Sequence, residues 1–242
     1  MKYLIPSSGR SDTIKKVFNI LGKKNVLVYV HESEKNDYLK EVDENNLKTH
    51  KVFGIGAIRK FMLDDNRDEN YLFMLDDDIT GFEYKYTTKL SMIVDPDHIE
   101  RIVYNAYQPA YDLETPLFGF ISSLGPMFYN QLNPVYFSGF VNIGLGIIPE
   151  FLGDINFDPR FTCLHEDHDI YLQTKYHKRF IFMDGRYSIR QRKAWLTMGG
   201  CSKLRNNENM KICKDLLVNK WGRNICTPST KKEGQFILKV PF

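Results

Sequence analysis

Three consecutive carboxylates, Asp76, Asp77 and Asp78, follow directly on the apolar run Tyr71–Leu75. An apolar run of this length predicts a strand that is buried on both faces of a sheet. Carboxylates are costly to bury without partners, so we expect them to emerge at the carboxyl edge of that sheet, where open α/β folds bind ligands. A divalent cation that prefers oxygen ligands would relieve their mutual repulsion. Asp76 and Asp78 have the D-x-D spacing that holds a metal on a nucleotide diphosphate, although an acidic turn after a strand gives the same pattern.

A second acidic cluster, Glu166-Asp167-His168-Asp169, opens a predicted helix that continues to about Lys178. Acidic residues in a first helical turn interact favourably with the helix dipole, which is the simplest interpretation. Glu166 and Asp169 nevertheless share one face at i, i+3 and repel each other unless something uses them. Two such clusters divide the labour of glycosyl transfer, since the first can anchor metal and leaving group and the second can supply a general base or bind the acceptor hydroxyl. We interpret His168 as a hydrogen-bonding residue rather than a metal ligand.

The elements that must position these residues alternate along the first 80 residues. The predicted strands are Lys2–Ile5, Asn25–His31, Thr49–Phe53 and the run before the carboxylates. The predicted helices are one with Ile14, Val17, Phe18 and Leu21 on its buried face, a surface helix over Glu34–Asn46, and one over Gly56–Asp65. Ser11 or Asp12 is the expected N-cap of the first helix, and Gly22 ends it. This alternation predicts an α/β fold with a mainly parallel central sheet and helices on both faces.

Later segments alternate less regularly. We expect a strand or hairpin over Phe82–Val94, a helix from Pro96 to about Tyr107, and strands at Leu117–Ser122 and Phe180–Met183. The segment Phe128–Pro149 is rich in Gly, Asn, Pro and aromatic residues, which favours loops that shape a pocket. Without repeats or a disordered linker, we predict a single domain over residues 1–242. Residues 1–80 would form its nucleotide-binding half and residues 81–242 its acceptor-binding half.

Composition sets broad limits on partners and compartment. The chain has 242 residues, a net charge of +3 and a pI near 8.5, which permits a polyanionic partner without requiring one. Its cysteines (Cys163, Cys201, Cys213 and Cys226) form no C-x-x-C pair, so we expect free thiols in a reducing cytoplasm. The apolar run at the N-terminus is too short for a signal peptide, and no segment reaches transmembrane length. These features predict a soluble, cytoplasmic protein without a membrane partner.

An ordered set of motifs carries a family resemblance over roughly residues 1–190. The set is Ile5-Pro6-Ser7-x-Gly9-Arg10, Arg59 ahead of Leu75-Asp76-Asp77-Asp78, and Phe157-Asp158-x-x-Phe161 followed by Glu166-Asp167-x-Asp169. In this order the motifs resemble those of the GT-A fold glycosyltransferases, a Rossmann-like class. More narrowly, the small size and the Pro6-Ser7-Ser8-Gly9-Arg10 opening look like the phage-encoded TET-associated glycosyltransferases. Those enzymes add sugars to 5-hydroxymethylcytosine in DNA.

The resemblance implies a role for each matched residue. A nucleotide-sugar donor, a UDP-sugar by this resemblance, would be bound by Pro6, Ser7, Ser8, Arg10, Arg59, Asp76 and Asp77. Asp78, together with Asp76, would bind a divalent metal, Mn or Mg. Asp167 would be the base of an inverting reaction, with Glu166 or Asp169 holding the acceptor. One departure concerns the histidine that many GT-A enzymes place after the last strand as a metal ligand, because no histidine here lies beyond His177. The metal would then keep more waters, be loosely held, or be replaced partly by Arg190, Arg192 and Lys193, acting as cations on the diphosphate.

DNA is the acceptor that the narrower resemblance implies, in the host cytoplasm if the protein is phage-encoded. The cluster Arg186–Lys193 and the tail residues Lys231, Lys232 and Lys239 would then contact phosphates, although a solvated charged face gives the same pattern. Tyr136, Phe137 and Phe140 can hold a flipped base, but core packing is the simpler account. Three alternatives stay open: a glycosyltransferase acting on a cell-surface glycan, a nucleotidyltransferase, and a catalytically silent DNA- or nucleotide-binding module. The loop after the first strand has only Gly9, which counts against a nucleotidyltransferase.

Overall fold

A ten-stranded sheet with helices packed on both faces organises the chain. The computed structural model describes residues 1–87, 89, 91–122, 129–141, 143–192, 200–229 and 236–240. The strands are β1 (Lys2–Pro6), β2 (Val26–His31), β3 (Leu47–His50), β4 (Leu72–Met74), β5 (Ile79–Tyr84), β6 (Ser91–Ile93), β7 (Leu117–Ser122), β8 (Val135–Tyr136), β9 (Leu145–Ile147), β10 (Phe182–Gln191), β11 (Cys226–Pro228) and β12 (Phe236–Leu238). The α-helices are α1 (Ile14–Leu21), α2 (Lys35–Tyr38), α3 (Ile55–Asp64), α4 (Pro96–Asp112), α5 (Glu166–Lys178) and α6 (Asn207–Trp221).

The strand order of the large sheet is β3-β2-β1-β4-β9-β7-β10-β5-β6, with β8 paired to β10. The first four strands are parallel, as are β7 and β10. Three strands, β5, β8 and β9, run against the others. The predicted mainly parallel central sheet is therefore confirmed, and its parallel strands all end at one edge, the carboxyl edge. The separate pair β11 and β12 is antiparallel.

Alternation along the buried strands creates two hydrophobic cores, one on each face of the sheet. In β1, Tyr3 and Ile5 point into the core under α1 and α4, whereas Leu4 points into the core under α3, α5 and α6. The predicted apolar face of α1 lies in the first of these cores. Helices on both faces are thus a consequence of strands that are apolar at successive positions, as the sequence predicts.

Several predicted boundaries are wrong. The surface helix predicted over Glu34–Asn46 is only the four-residue α2, followed by a 3-10 turn at Glu44–Asn46, because this polar segment lacks an apolar stripe at helical spacing. Neither Ser11 nor Asp12 caps α1, which has Thr13 at the N-cap position without a side-chain cap. The helix predicted to end near Tyr107 continues to Asp112, with Ala110 buried against the sheet.

The largest consequence for the site comes from β10, which runs to Gln191 rather than ending at Met183. The extension pairs with β5 and brings the end of β10 to the carboxyl edge. Among the described residues, no helix is both long and apolar enough to cross a membrane.

Candidate active site

The acidic triplet lies at the carboxyl edge of the sheet, in the connection from β4 to β5. The loop Ser7–Arg10 leaves β1, the strand next to β4, at the same edge, and Pro6 is the last residue of that strand. The predicted strand-end carboxylates and the first-strand loop are therefore neighbours. They are neighbours because the adjacent parallel strands β1 and β4 leave the core at the same edge of the sheet.

The middle carboxylate of the triplet is buried and serves the loop after β1. Asp77 accepts a 2.6 Å hydrogen bond from the Ser7 hydroxyl and pairs with the Arg10 guanidinium. The phenol of Tyr38 lies 2.7 Å from the Ser7 hydroxyl and accepts a bond from the Arg10 backbone N–H. Burial raises the pKa of Asp77 to about 6, although Ser7 and Arg10 oppose the shift. Ser7 and Asp77, both predicted to contact the donor, are thus engaged with each other.

The two outer carboxylates converge on one side chain, Gln191 at the end of β10. Its Nε2 donates to Asp76 Oδ2 at 3.0 Å and to Asp78 Oδ1 at 2.6 Å. Burial raises the pKa of Asp78, and the bond from Gln191 opposes this shift. Asp76 is the more open of the two, with 35% of its side chain exposed against 11% for Asp78. The prediction did not include Gln191, because it ended the last strand eight residues earlier.

Asp76 and Asp78 are the residues that would hold a divalent metal at this site. One oxygen of each carboxylate accepts from the same amide nitrogen, at 3.0 and 2.6 Å, so the two oxygens face a common point. Within the described ranges, no group of three or more His, Cys, Asp or Glu side chains forms a metal-binding cluster. The pair therefore fits an ion that takes its remaining ligands from phosphate oxygens and water, as Mg²⁺ commonly does.

The loop after β1 is held by a carboxylate that the sequence analysis also missed. Glu34 accepts 2.8 Å hydrogen bonds from the Ser8 hydroxyl and from the Gly9 backbone N–H. Gly9 has φ of 65°, in the left-handed region that favours glycine. On the other side, the Gly200 N–H donates to the Ser8 carbonyl at 2.8 Å. The loop is fixed in shape while Arg10 points to the acidic triplet.

Arg59 connects the triplet to the second acidic cluster. This buried guanidinium donates through Nη2 to Asp76 Oδ1 at 3.1 Å, and its Nε lies 3.5 Å from Glu166 Oε1. Burial raises the pKa of Glu166 to about 7, and Arg59 opposes this shift. The two clusters, 88 positions apart between Asp78 and Glu166 in the sequence, thus lie on either side of one arginine.

Asp167 is hydrogen-bonded to the next residue, His168. Its Oδ1 lies 2.8 Å from both the backbone N and the ring Nδ1 of His168. Burial alone would raise the pKa of Asp167, but the charge and hydrogen bond of His168 hold it below its usual range. The same interaction raises the pKa of His168 against the opposing effect of burial. The interpretation of His168 as a hydrogen-bonding residue agrees with this geometry.

Asp169 lies apart from Glu166 and Asp167, because its carboxylate faces α6. It is fully buried and accepts 2.8 Å hydrogen bonds from Gln173 Nε2, Lys220 Nζ and Trp221 Nε1. Glu166 and Asp169 each have a cationic partner, Arg59 for Glu166 and Lys220 for Asp169, which offsets the repulsion expected between them. With its oxygens engaged inside the protein, Asp169 is placed to hold α5 against α6 rather than to hold an acceptor.

The arginines of the predicted basic cluster each contact a different part of the protein. Arg186 forms a bidentate pair with Asp184 and lines a cavity of about 460 Å³ with Tyr86, Tyr129, Gln131 and Tyr187. Arg190 lies 3.6 Å from the buried carboxylate of Glu83. Arg192 donates its backbone N–H to the Asp78 carbonyl at 3.1 Å, which places this residue beside the triplet. Lys193, Lys231 and Lys232 lie outside the described residues.

The aromatic residues considered for base binding pack against protein. Phe140 contacts the rings of His168 and Tyr171, with centroids 4.5 and 5.4 Å away. Phe137 packs edge-on against Phe180 and Phe182. Packing is therefore the observed role of Phe140, whereas Phe137 remains 49% exposed.

Comparison with known proteins places this geometry in a fold class. No protein-family profile matches the sequence, and no characterised protein matches it significantly. Solved structures do match. The structure of residues 1–349 of the S. aureus glycosyltransferase TarS aligns with a TM-score of 0.50 at 12% identity, covering 93% of this chain and 73% of that one. Identity this low bears on the fold alone, and the mixed α/β fold with its mostly parallel central sheet is consistent with a GT-A-like glycosyltransferase fold.

Proposed function

We propose that this protein is a glycosyltransferase that moves a sugar from a nucleotide-sugar donor to a hydroxyl acceptor. The observation that carries the proposal is the meeting of two acidic clusters around Arg59 at the carboxyl edge of a GT-A-like sheet. A nucleotide-binding module without catalysis has no need of the second cluster. The fold likeness to a glycosyltransferase supports the same class of activity.

In this proposal the donor lies over the loop Ser7–Arg10 and the acidic triplet. Asp76 and Asp78 hold Mn or Mg, which when bound would neutralise charge on the diphosphate leaving group. Arg10 lies 3.8 Å from Asp78 Oδ2, and the backbone of Arg192 contacts the Asp78 carbonyl, so both arginines are near enough to serve that diphosphate. Asp77 and Ser7 shape the loop through their mutual hydrogen bond.

The start of α5 supplies the base chemistry. Glu166 faces Arg59 and through it the donor side, whereas Asp167 and His168 form a hydrogen-bonded pair one and two residues further on. Removing a proton from the acceptor hydroxyl as it attacks contributes typically about 10²–10⁴ in rate. Inversion at the anomeric carbon, with the base on the face opposite the leaving diphosphate, is part of the proposal.

The acceptor proposed from the narrower resemblance is the hydroxyl of 5-hydroxymethylcytosine in DNA. The exposed side chain of Arg190 supports it. The pairing of Arg186 with Asp184 removes one cation from the predicted phosphate-binding set. A cell-surface glycan is the alternative acceptor. DNA as acceptor predicts that affinity falls steeply as salt rises, because phosphate contacts release counterions.

The test is mass spectrometry of hydroxymethylated DNA and of glycan acceptors after incubation with a panel of nucleotide sugars and Mn or Mg. We expect a mass gain of one sugar in one donor–acceptor combination. Asp78→Asn should abolish the gain, and Asp215→Asn, on the exposed face of α6, should leave it unchanged. Equal transfer to a free hydroxymethyl nucleoside, without salt dependence, would reject DNA in favour of another acceptor. No transfer to any acceptor would reject the function.

A further inference from the structure

Asp167 and His168 form a carboxylate–imidazole pair with a defined direction. Both contacts from His168, through its backbone N and its Nδ1, reach the same oxygen of Asp167 at 2.8 Å. A carboxylate accepts hydrogen bonds, so Nδ1 carries the hydrogen in this pair. In a neutral imidazole of this tautomer, Nε2 holds a free lone pair.

Packing fixes the ring of His168 without using Nε2. The ring lies against Phe140 with centroids 4.5 Å apart, and His165 meets it at a right angle at 5.0 Å. The ring centroid of Phe236 lies 6.4 Å from that of His168. Nε2 makes no hydrogen bond with any described residue, and 19% of the His168 side chain is exposed. The ring is therefore held in place while one nitrogen stays available.

Glu166 and His168 lie two positions apart on α5, so their side chains leave the helix on different sides. Glu166, at the first position of the helix, faces Arg59. His168 shares a face with Tyr171, three residues later, and the Tyr171 hydroxyl donates to the Ser138 carbonyl at 3.2 Å. His168 accordingly faces the segment around Phe140, in the half of the chain expected to bind the acceptor.

We propose that His168 Nε2, held by Asp167, is the base that takes the proton from the acceptor hydroxyl. The proposal rests on the glycosyltransferase function proposed above. As the hydroxyl oxygen bonds to the anomeric carbon, its proton passes to Nε2. The bond from that carbon to the donor phosphate breaks, and its electron pair leaves with the nucleoside diphosphate. Asp167 stays ionised, stabilises the imidazolium, and the imidazolium then returns its proton to solvent.

The charges around the pair favour the imidazole over the carboxylate as the base. Asp167 and Glu166 on α5 both raise the pKa of His168 against burial, while the neighbouring His165 is kept neutral by burial. From α6, Lys214 contributes positive charge near His165. A general base is most effective when its pKa is near the working pH. The pKa of Asp167 lies far from that range, whereas that of an imidazole starts within it.

Two substitutions at one position separate a base from a positioning residue. His168→Asn keeps a donor nitrogen close to where Nδ1 lies but has no equivalent of Nε2, and His168→Ala has neither. We expect both variants to lose about 10²–10⁴ in transfer rate. The binding of Mn and nucleoside diphosphate, measured by calorimetry, should be unchanged. The acidic limb of the rate–pH profile should disappear in the residual activity. His177→Asn, exposed at the far end of the same helix, is the matched control.

Near-normal transfer by His168→Asn, with loss only in His168→Ala, would overturn the proposal and leave Asp167 as the base. A second readout needs no substrate. NMR of ¹⁵N-labelled histidine should show His168 with Nδ1 protonated in its neutral form, and its pKa should fall in Asp167→Asn. The opposite tautomer would also overturn the proposal. Absence of transfer by the wild-type protein with every donor and acceptor would instead reject the glycosyltransferase function.

Discussion

The two acidic clusters use the same residue type in opposite ways. In the triplet after β4, the middle carboxylate is buried and the outer two converge on Gln191. At the start of α5, the first two acidic residues face the site and the last is buried against α6. Each cluster therefore divides into carboxylates that are placed for chemistry and one that holds the fold together.

The difference between the clusters arises from backbone geometry. In the connection after β4, which turns at Asp77 and Asp78, Asp76 and Asp78 both face Gln191 while Asp77 faces the loop after β1. On α5, successive side chains turn by about 100°, so Glu166, Asp167 and His168 spread around the site and Asp169 reaches the neighbouring helix. The role of an acidic residue in such a cluster thus depends on its position along the local backbone rather than on its charge.

The largest expected effect comes from the triplet. Asp78→Asn should reduce transfer below detection and weaken metal-dependent binding of nucleoside diphosphate by at least about tenfold, or ~1.4 kcal/mol. The reason is the loss of one of two convergent carboxylate oxygens at the metal position. Isothermal titration of UDP with Mn present and absent measures this. Unchanged metal-dependent binding would remove Asp78 from the donor site.

Asp167→Asn, in the second cluster, should reduce transfer without weakening donor binding. We expect transfer to fall by about 10²–10⁴, because an uncharged side chain at this position no longer stabilises the imidazolium that forms at His168 and is itself a poor base. Donor affinity should stay within experimental error of wild type, in contrast to Asp78→Asn. Single-turnover kinetics together with titration of UDP and Mn separates the two effects. A loss of donor affinity equal to that of Asp78→Asn would mean that the clusters do not divide their labour.

Asp169→Ala tests the structural member of the second cluster. Its removal leaves Gln173, Lys220 and Trp221 without the carboxylate that each contacts. We expect the free energy of unfolding to fall by about 2–3 kcal/mol, since three hydrogen bonds to a buried, charged carboxylate are lost. Donor binding should persist at temperatures where the variant is folded. Urea denaturation measures the change.

Asp215→Ala is the control on the same helix. Its pair with Lys211 is exposed on both sides, so its removal should cost less than about 1 kcal/mol. If both variants lost the same stability, the buried contacts of Asp169 would not be what joins α5 and α6.

Much of this architecture follows from sequence, for physical reasons that differ by element. The apolar runs that became β1, β2, β4 and β7 have no alternative to burial, and α5 begins and ends at the predicted residues, Glu166 and Lys178. The positions of Asp76 and Asp78 at the carboxyl edge follow from the same constraint. In these elements the local pattern of apolar residues is enough to predict the secondary structure.

The parts that the sequence did not predict depend on contacts between distant segments. Gln191 reaches the triplet because β10 extends along β5. No local pattern in Arg186–Gln191 predicts that pairing. Glu34 holds the first-strand loop across 25 residues, in a segment whose charge favoured a surface helix. Asp169 and Trp221 meet across 52 residues. Tertiary geometry determines which polar side chains of this kind meet, and hydrophobic periodicity carries no information about such contacts.

The smallest expected effect concerns His165, the buried residue that precedes the second cluster. Burial lowers the pKa of His165 to about 3, and its Nε2 is buried without a hydrogen-bond partner. The unfolded chain protonates this imidazole near pH 6.5, whereas the folded protein keeps it neutral. The unfolded state therefore binds more protons as pH falls below about 6.5, and stability is lost in that direction.

His165→Asn removes this titration and keeps a residue that tolerates the left-handed backbone at φ of 73°. The stability difference, wild type minus variant, should fall by about 1–2 kcal/mol between pH 7 and pH 5, in favour of the variant. Urea denaturation of both proteins at the two pH values measures it. His168 titrates in the opposite sense, because its raised pKa adds stability at low pH, and it is present in both proteins. A difference that does not change with pH would mean that His165 is not held neutral in the folded protein.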